Sequence, residues 1–119
     1  MTKTILIVED DPFIAMDLQD TFEEAGYTVL GPVSSVDPGL KIIGQSKPDV
    51  AMLDYNLGQE TSIPLAHKLE EISVPYLFLT GQVERIIDAN TTSKQKVIMK
   101  PFDAERLVAC VNSLMDPRA

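Results

Sequence analysis

The sequence predicts an α/β protein built on a five-stranded parallel sheet that is doubly wound, with helices on both faces. Two observations support this fold class. Short apolar runs alternate along the chain with segments whose apolar residues have helical spacing. The runs are apolar throughout, which is typical of parallel strands buried on both faces. The 119 residues contain no linker, repeat or low-complexity segment, so we expect a single domain over residues 1–119.

The predicted strands are the apolar runs themselves. Each run has the length of a strand and is too short for a buried helix, and each is followed by polar or turn-forming residues. In chain order the predicted strands are TILIV (4–8), YTVLG (27–31), DVAML (49–53), PYLFL (75–79) and KVIM (96–99).

The segments between the strands carry helix start signals and apolar stripes. Asp11-Pro12 and Asp37-Pro38 each place an N-cap acid before a proline at the first helical position, and Asp103 can cap the last helix. The stripes are Ala15, Leu18, Phe22 and Ala25 in the first helix, Leu65, Ala66, Leu69 and Ile72 in the third, and Leu107, Val108, Val111, Leu114 and Met115 in the last.

Glycines and an irregular segment complete the predicted element order. Gly26 and Gly44 are predicted to end the first and second helices. The least regular part of the chain is residues 82–96, for which we expect a short helix at Val83–Ala89 followed by a polar loop.

Composition limits the function and the location of the chain. Ten basic against eighteen acidic residues give a formal net charge of −8, which argues against a nucleic-acid surface and permits a cation site or a basic protein partner. No apolar stretch approaches membrane-spanning length, and acids at positions 9–11 interrupt any secretion signal, so we expect a cytoplasmic protein without a membrane partner. The lone Cys110 predicts a small buried thiol, and the methionines are predicted to fill the core.

Polar side chains follow four of the five predicted strands. Because ligands of an open α/β sheet bind outside the carboxyl ends of its strands, these residues should share one rim. The second strand ends in Leu-Gly-Pro and offers no reactive group. The rim residues are Glu9, Asp10 and Asp11 after the first strand, Asp54 after the third, Thr80 at the end of the fourth, and Lys100 after the fifth.

Carboxylates that converge in this way require a cation. Mg²⁺ binds carboxylate and carbonyl oxygens and usually has few protein ligands while it keeps several waters. A lysine adds compact positive charge and a threonine adds a hydroxyl donor, so the set suits a tetrahedral phosphoryl group. Each residue alone has an ordinary explanation as a cap, a turn residue or a solvated charge. Their placement at four strand ends favours the phosphoryl site.

The motifs VEDD, LDYN, LTG and MKPF, in this order and at these spacings, resemble the receiver domain of two-component response regulators. The resemblance spans essentially the whole chain and implies a flavodoxin-like fold with strand order 2-1-3-4-5. The segments FLTG, LDYNLGQETSIPLAHKL and GPVSSVDPGL are similar to the receiver subgroup named for its FATGUY motif, whose members are single-domain receivers. Met1 favours a stand-alone or N-terminal receiver.

The resemblance implies how a metal would be held. Asp54 corresponds to the phosphoacceptor and Asp10 to the direct Mg²⁺ ligand, while Glu9 corresponds to a partner that acts through water. The backbone carbonyl of Asn56, two residues beyond the acceptor, is expected to be a further ligand. Mn²⁺ or Ca²⁺ could occupy the same place. Asp11 is then predicted to be the N-cap of the first helix instead of a ligand.

The resemblance also implies how a phosphoryl group would be bound and used. Thr80 and Lys100 are expected to bind phosphoryl oxygens, with Thr80 also taking part in switching, and the bond between Lys100 and Pro101 is expected to be cis. The donor would be a sensor histidine kinase or a histidine phosphotransfer protein, and the signal would pass to a downstream protein target. The chain is expected to be a monomer or a phosphorylation-dependent dimer. It is not expected to be an enzyme, and the reactions that it catalyses would be only its own phosphorylation and dephosphorylation.

Departures from the family pattern keep other functions open. Val97 stands where many receivers have an aromatic residue three positions before the lysine, so output could instead pass through ordering of residues 82–96, or through Tyr55 or Tyr76. A pseudo-receiver, which binds proteins without phosphorylation, is the main alternative. A metal-dependent phosphatase is disfavoured because Asn56 lies where such enzymes need a general acid.

Overall fold

The computed structural model describes residues 3–80, 96–99 and 103–115, with Thr80 and residues 96–99 described by their backbone. Within these residues the chain forms strands and helices in alternation. The helix predicted at 83–89 lies outside the described residues. The elements are β1 (Thr4–Val8), α1 (Pro12–Glu24), β2 (Thr28–Val33), α2 (Val36–Gln45), β3 (Val50–Asp54), β4 (Asn56–Leu57), β5 (Glu60–Thr61), α3 (Ile63–Glu71), β6 (Tyr76–Thr80), β7 (Lys96–Met99) and α4 (Ala104–Met115).

Five of the strands form one parallel sheet in the order β2-β1-β3-β6-β7. With the two short strands β4 and β5 set aside, this is the predicted order 2-1-3-4-5, and the predicted doubly wound, flavodoxin-like fold is confirmed. The strand order reverses between β1 and β3, so the carboxyl ends of these two strands border the crevice in which such sheets bind ligands.

Each face of the sheet has its own hydrophobic core. Successive residues of a strand point to opposite faces, so Leu6 and Val8 join one core with α2 and α3, whereas Ile5 and Ile7 join the other with α1 and α4. The half-buried Cys110 packs against the second core. None of the described helices combines the length and the hydrophobicity that a membrane-spanning segment requires.

Two predicted helix boundaries were wrong. Helix α2 begins at Val36 with Ser35 as its N-cap, so Asp37 lies in the first turn, where an acid still interacts favourably with the helix dipole. Helix α2 also continues past Gly44 and ends at Gln45. By contrast, α1 ends at Glu24, and Gly26 follows its C-cap with a φ of +96°, a conformation that glycine adopts without strain.

A two-stranded hairpin directly follows the end of β3 and was not predicted. Strands β4 and β5 pair antiparallel, with Asn56 opposite Thr61 and Leu57 opposite Glu60. Gly58 lies in the connecting turn with a φ of +72°, which matches the preference of tight hairpin turns for glycine. Leu57 is buried in the core beneath α2 and α3, so the hairpin folds back over that face of the sheet.

Candidate functional site

Three carboxylates meet at the carboxyl ends of β1 and β3. The parallel register pairs Val8 with Leu53, so the next residues of the two strands, Glu9 and Asp54, lie side by side. Each of Glu9, Asp10 and Asp54 offers one oxygen, and these oxygens all lie within 4.8 Å of one another. The cluster therefore lies at the rim where the strand order reverses.

The burial of the three acids differs and suits a bound cation. Glu9 is 2% exposed and Asp54 is 6% exposed, whereas Asp10 is exposed. Like charges this close oppose one another, and burial adds a desolvation cost for the ionised form. A hard divalent cation offsets both costs, and an all-oxygen donor set with an open side fits the octahedral, water-rich coordination of Mg²⁺. The residues present therefore fit a magnesium ion.

The acids at positions 9 and 11 are linked to the start of α1 by hydrogen bonds. The Asp11 amide donates to Glu9 Oε2 at 3.0 Å. Asp11 Oδ1 in turn accepts from the amides of Phe13 at 2.9 Å and Ile14 at 3.3 Å, which makes Asp11 the N-cap of the helix. The Glu9 amide donates to the Val33 carbonyl at 2.9 Å. Asp11 therefore caps α1, and hydrogen bonds to both the backbone and the side chain of Glu9 fix its position.

The other predicted rim residues follow the neighbouring strands. Asp54 pairs with Leu79 in β6, and Thr80 is the next and last residue of that strand. Thr80 pairs with Met99, the last residue of β7. Lys100 and Pro101 lie outside the described residues. The half-buried Asn56 begins β4, two residues beyond Asp54.

The two tyrosines considered as switch residues are packed in the core. Tyr55 and Tyr76 are each edge-on to Phe78, with ring centroids 5.6 Å apart in both pairs. Both tyrosines are buried, and the Tyr76 hydroxyl donates to Glu70. Tyr76 also starts β6, so it lies at the opposite end of that strand from Thr80.

An open groove of about 580 Å³ adjoins the acidic cluster. Phe13 is 81% exposed and Met16 is 62% exposed on the neighbouring surface of α1. The prediction that the methionines fill the core was therefore wrong for Met16. The signal in the sequence was its position, because Phe13 and Met16 lie off the stripe of Ala15, Leu18 and Phe22. The groove is lined by Glu9, Asp10, Pro12, Met16, Pro32 and Ser34, among others.

Comparison with known proteins finds relatives that match almost the whole of this chain. The chain is 30% identical over 118 residues to the phyllosphere-induced regulator PhyR of Methylorubrum extorquens, covering 97% of this chain and 44% of that protein. The solution structure of SdrG from Sphingomonas melonis has 36% identity and a TM-score of 0.77, with 96% of each chain covered. A response regulator receiver protein from Sinorhizobium medicae has 23% identity and a TM-score of 0.89, covering 99% of this chain and 98% of that one.

The match to a family model covers most of the chain. The model of the response regulator receiver domain matches residues 5–112. The chain spans about half the length of several of the curated relatives it matches. With the parallel sheet and the acids at its rim, this match identifies the chain as a member of the response regulator receiver domain family.

Proposed function

We propose that this receiver is a phosphoacceptor in a two-component or phosphorelay pathway, and that Asp54 accepts the phosphoryl group from a phosphohistidine. The observation that carries the proposal is the placement of the buried Asp54 carboxylate within 4.8 Å of ligand oxygens of Glu9 and Asp10. A lone buried acid would be a poor recipient of an anionic group, whereas an acid beside a cation site is a good one.

The proposed step is a direct transfer. An oxygen of the Asp54 carboxylate attacks the phosphorus, an O–P bond forms, the P–N bond breaks, and its electron pair passes to the imidazole nitrogen of the donor. Asp10, Asp54 and the Asn56 carbonyl, with Glu9 acting through water, would hold Mg²⁺, which when bound would supply positive charge to the phosphoryl oxygens. Lys100 would pair with another of these oxygens, and the Thr80 hydroxyl would donate to a third.

The finer assignments belong to the same proposal. On the motifs FLTG and LDYNLGQETSIPLAHKL we assign the chain to the FATGUY-type receivers. Its catalysis would be confined to its own phosphorylation and dephosphorylation, and it would work in the cytoplasm. The acyl phosphate adds roughly one to two negative charges at the rim, which would reposition Thr80 and change the affinity for a downstream protein.

Intact-mass spectrometry tests the proposal directly. Incubation of the wild-type chain with a small acyl phosphate and Mg²⁺ is expected to add the mass of one phosphoryl group. Chelation of the Mg²⁺ should prevent the gain, because the acidic cluster then repels the anionic donor. Absence of any mass gain with both an acyl phosphate and a phosphoramidate, in the presence of Mg²⁺, would remove the proposal.

The surface beside the groove is where a protein donor would dock. Asp10 lines the same groove as Met16, so a partner that brings a phosphohistidine to Asp54 passes over this part of α1. The helix carries no lysine or arginine, and its exposed acids include Asp17, Asp20 and Glu23. Charge complementarity therefore favours a donor helix with apolar side chains flanked by basic ones.

Replacement of both Phe13 and Met16 by serine is expected to slow phosphoryl transfer from the histidine donor protein by about tenfold, equivalent to ~1.4 kcal/mol. Phosphorylation by the small acyl phosphate should be unchanged, since that donor needs no docking. Leu40→Ser is the matched control, because Leu40 is an exposed apolar residue on α2. Equal slowing with both donors would show that the two side chains act on the site itself.

A pseudo-receiver that binds proteins without phosphorylation is the second candidate. It is favoured by the packing of Tyr55 and Tyr76, which are both buried against Phe78. Neither tyrosine therefore takes the place of the aromatic residue that many receivers have where this chain has Val97. A protein partner bound equally well by the phosphorylated and unphosphorylated chains would favour this candidate.

A further inference from the structure

The hairpin of β4 and β5 is too small to hold its own shape. It has two residue pairs, and isolated two-stranded hairpins of any length are marginal in water. Its position must therefore come from contacts with the rest of the chain. The buried Leu57 side chain supplies one, and the hydrogen bond from the Ser62 amide to the Tyr55 carbonyl, at 3.0 Å, supplies another.

A third contact joins the hairpin to α2. The Val36 amide, at the first position of α2, donates to Glu60 Oε2 at 2.9 Å. This amide would ordinarily be satisfied by water or a neighbouring polar group, and within the described residues the Ser35 N-cap makes no side-chain capping bond. Glu60 thus supplies from the hairpin an acceptor for the start of a helix 24 residues earlier in the chain.

The position of Glu60 in the hairpin connects this bond to the metal site. Glu60 lies opposite Leu57, whose chain neighbour Asn56 is two residues beyond Asp54. A tie at Glu60 therefore restrains the backbone that carries the Asn56 carbonyl, together with the buried Leu57. Partners that orient a ligand in this way commonly affect metal affinity even though they do not touch the metal.

We propose that Glu60 is a positioning residue of the metal site: by anchoring the hairpin on α2 it holds the Asn56 carbonyl where a divalent cation needs it. The inference rests on the proposed function, because it takes the Asn56 carbonyl as a ligand. It assigns to an exposed acid outside the cluster a role in cation affinity. The simpler alternative is that Glu60 only caps the N-terminus of α2.

Isothermal titration of Mg²⁺ into the folded chain, well below its melting temperature, separates these explanations. Glu60→Ala is expected to weaken Mg²⁺ binding about tenfold. This is the smallest loss of affinity that is usual for residues that orient a metal ligand, because Glu60 acts through the backbone. Glu60→Gln keeps an acceptor oxygen and should restore most of the affinity. Gln59→Ala, at the neighbouring exposed turn residue, should bind as the wild type does.

A double variant tests whether loss of the cap on α2 alone accounts for the weaker Mg²⁺ binding. Ser35→Asn offers α2 a neutral side-chain acceptor at its N-cap position, where the serine makes no capping bond within the described part of the chain. In Glu60→Ala/Ser35→Asn, α2 is expected to recover its stability. The Mg²⁺ affinity of this double variant is expected to remain about tenfold lower than that of the wild type. Because coupling between two sites is reciprocal, Mg²⁺ should also slow hydrogen exchange of the Val36 amide in the wild type but not in this double variant.

The possible results distinguish a failure of the proposed function from a failure of the positioning role of Glu60. A wild-type chain that binds no Mg²⁺ contradicts the proposed function and leaves Glu60 without a site to position. A wild type that binds Mg²⁺ with Glu60→Ala within twofold of it overturns the positioning role alone. Recovery of both stability and Mg²⁺ affinity by Ser35→Asn also overturns it, since capping would then account for the whole effect.

Discussion

Asp54→Asn is expected to abolish phosphorylation by the small acyl phosphate. The amide has nearly the shape of the carboxylate but lacks its nucleophilic, charged oxygen, so the transfer step loses its acceptor. Intact-mass spectrometry should therefore show no added phosphoryl group. Asp37→Asn is the control, because Asp37 is an exposed acid in the first turn of α2. Undiminished phosphorylation of Asp54→Asn would mean that another residue is the acceptor.

The same substitution should stabilise the chain when no divalent cation is present. Replacing one of three carboxylates whose ligand oxygens lie within 4.8 Å removes like-charge repulsion and the desolvation of a buried charge. Thermal unfolding in a chelating buffer should show a higher melting temperature for Asp54→Asn than for the wild type. A lower melting temperature would show that other interactions of the Asp54 carboxylate outweigh the repulsion.

The three consecutive acids are expected to differ sharply in their effect on Mg²⁺. At a Mg²⁺ concentration tenfold above its dissociation constant, binding should stabilise the wild type by about 1.4 kcal/mol. Asp10→Ala should lose essentially all of this gain, because the exposed Asp10 is the proposed direct ligand. Glu9→Ala should lose part of it, since Glu9 is proposed to act through water. The measurement is urea unfolding with and without Mg²⁺.

Asp11→Ala provides the contrast within the same stretch. Its carboxylate accepts from the amides of Phe13 and Ile14, so its loss should lower the free energy of unfolding by about 1 kcal/mol with or without Mg²⁺. The stabilisation by Mg²⁺ itself should remain. Equal losses of Mg²⁺ stabilisation in all three variants would show that the acids share one role instead of three.

The fold class and the acidic cluster could be predicted from local signals in the sequence, whereas the strand order was predicted from the family resemblance. An apolar run such as that ending at Val8 or Leu53 identifies a buried parallel strand, and the residue after it is then placed at the rim by topology alone. The N-cap at Asp11 is equally local, since the acceptor and the two amides it binds are within three residues.

The features that escaped prediction depend on contacts between distant parts of the chain. Helix α2 starts at Val36 instead of after Asp37, and the amide of Val36 donates to Glu60 of a later hairpin, a contact that no local pattern shows. The hairpin has two residues in each strand, too few for an alternating pattern to be recognised. The exposure of Met16 is different, because its position off the apolar stripe of α1 was a local signal that could have predicted it.

The separation of the interior into two cores has a consequence for how such a domain can change over evolution. A substitution under α1 and α4 and another under α2 and α3 have the sheet between them and lie in separate clusters of the described residues, so their energetic effects should add almost independently. One face can therefore be rebuilt to suit a new partner while the other keeps its sequence. The acids at the strand tips belong to neither interior, so the chemistry can be inherited unchanged through such rebuilding.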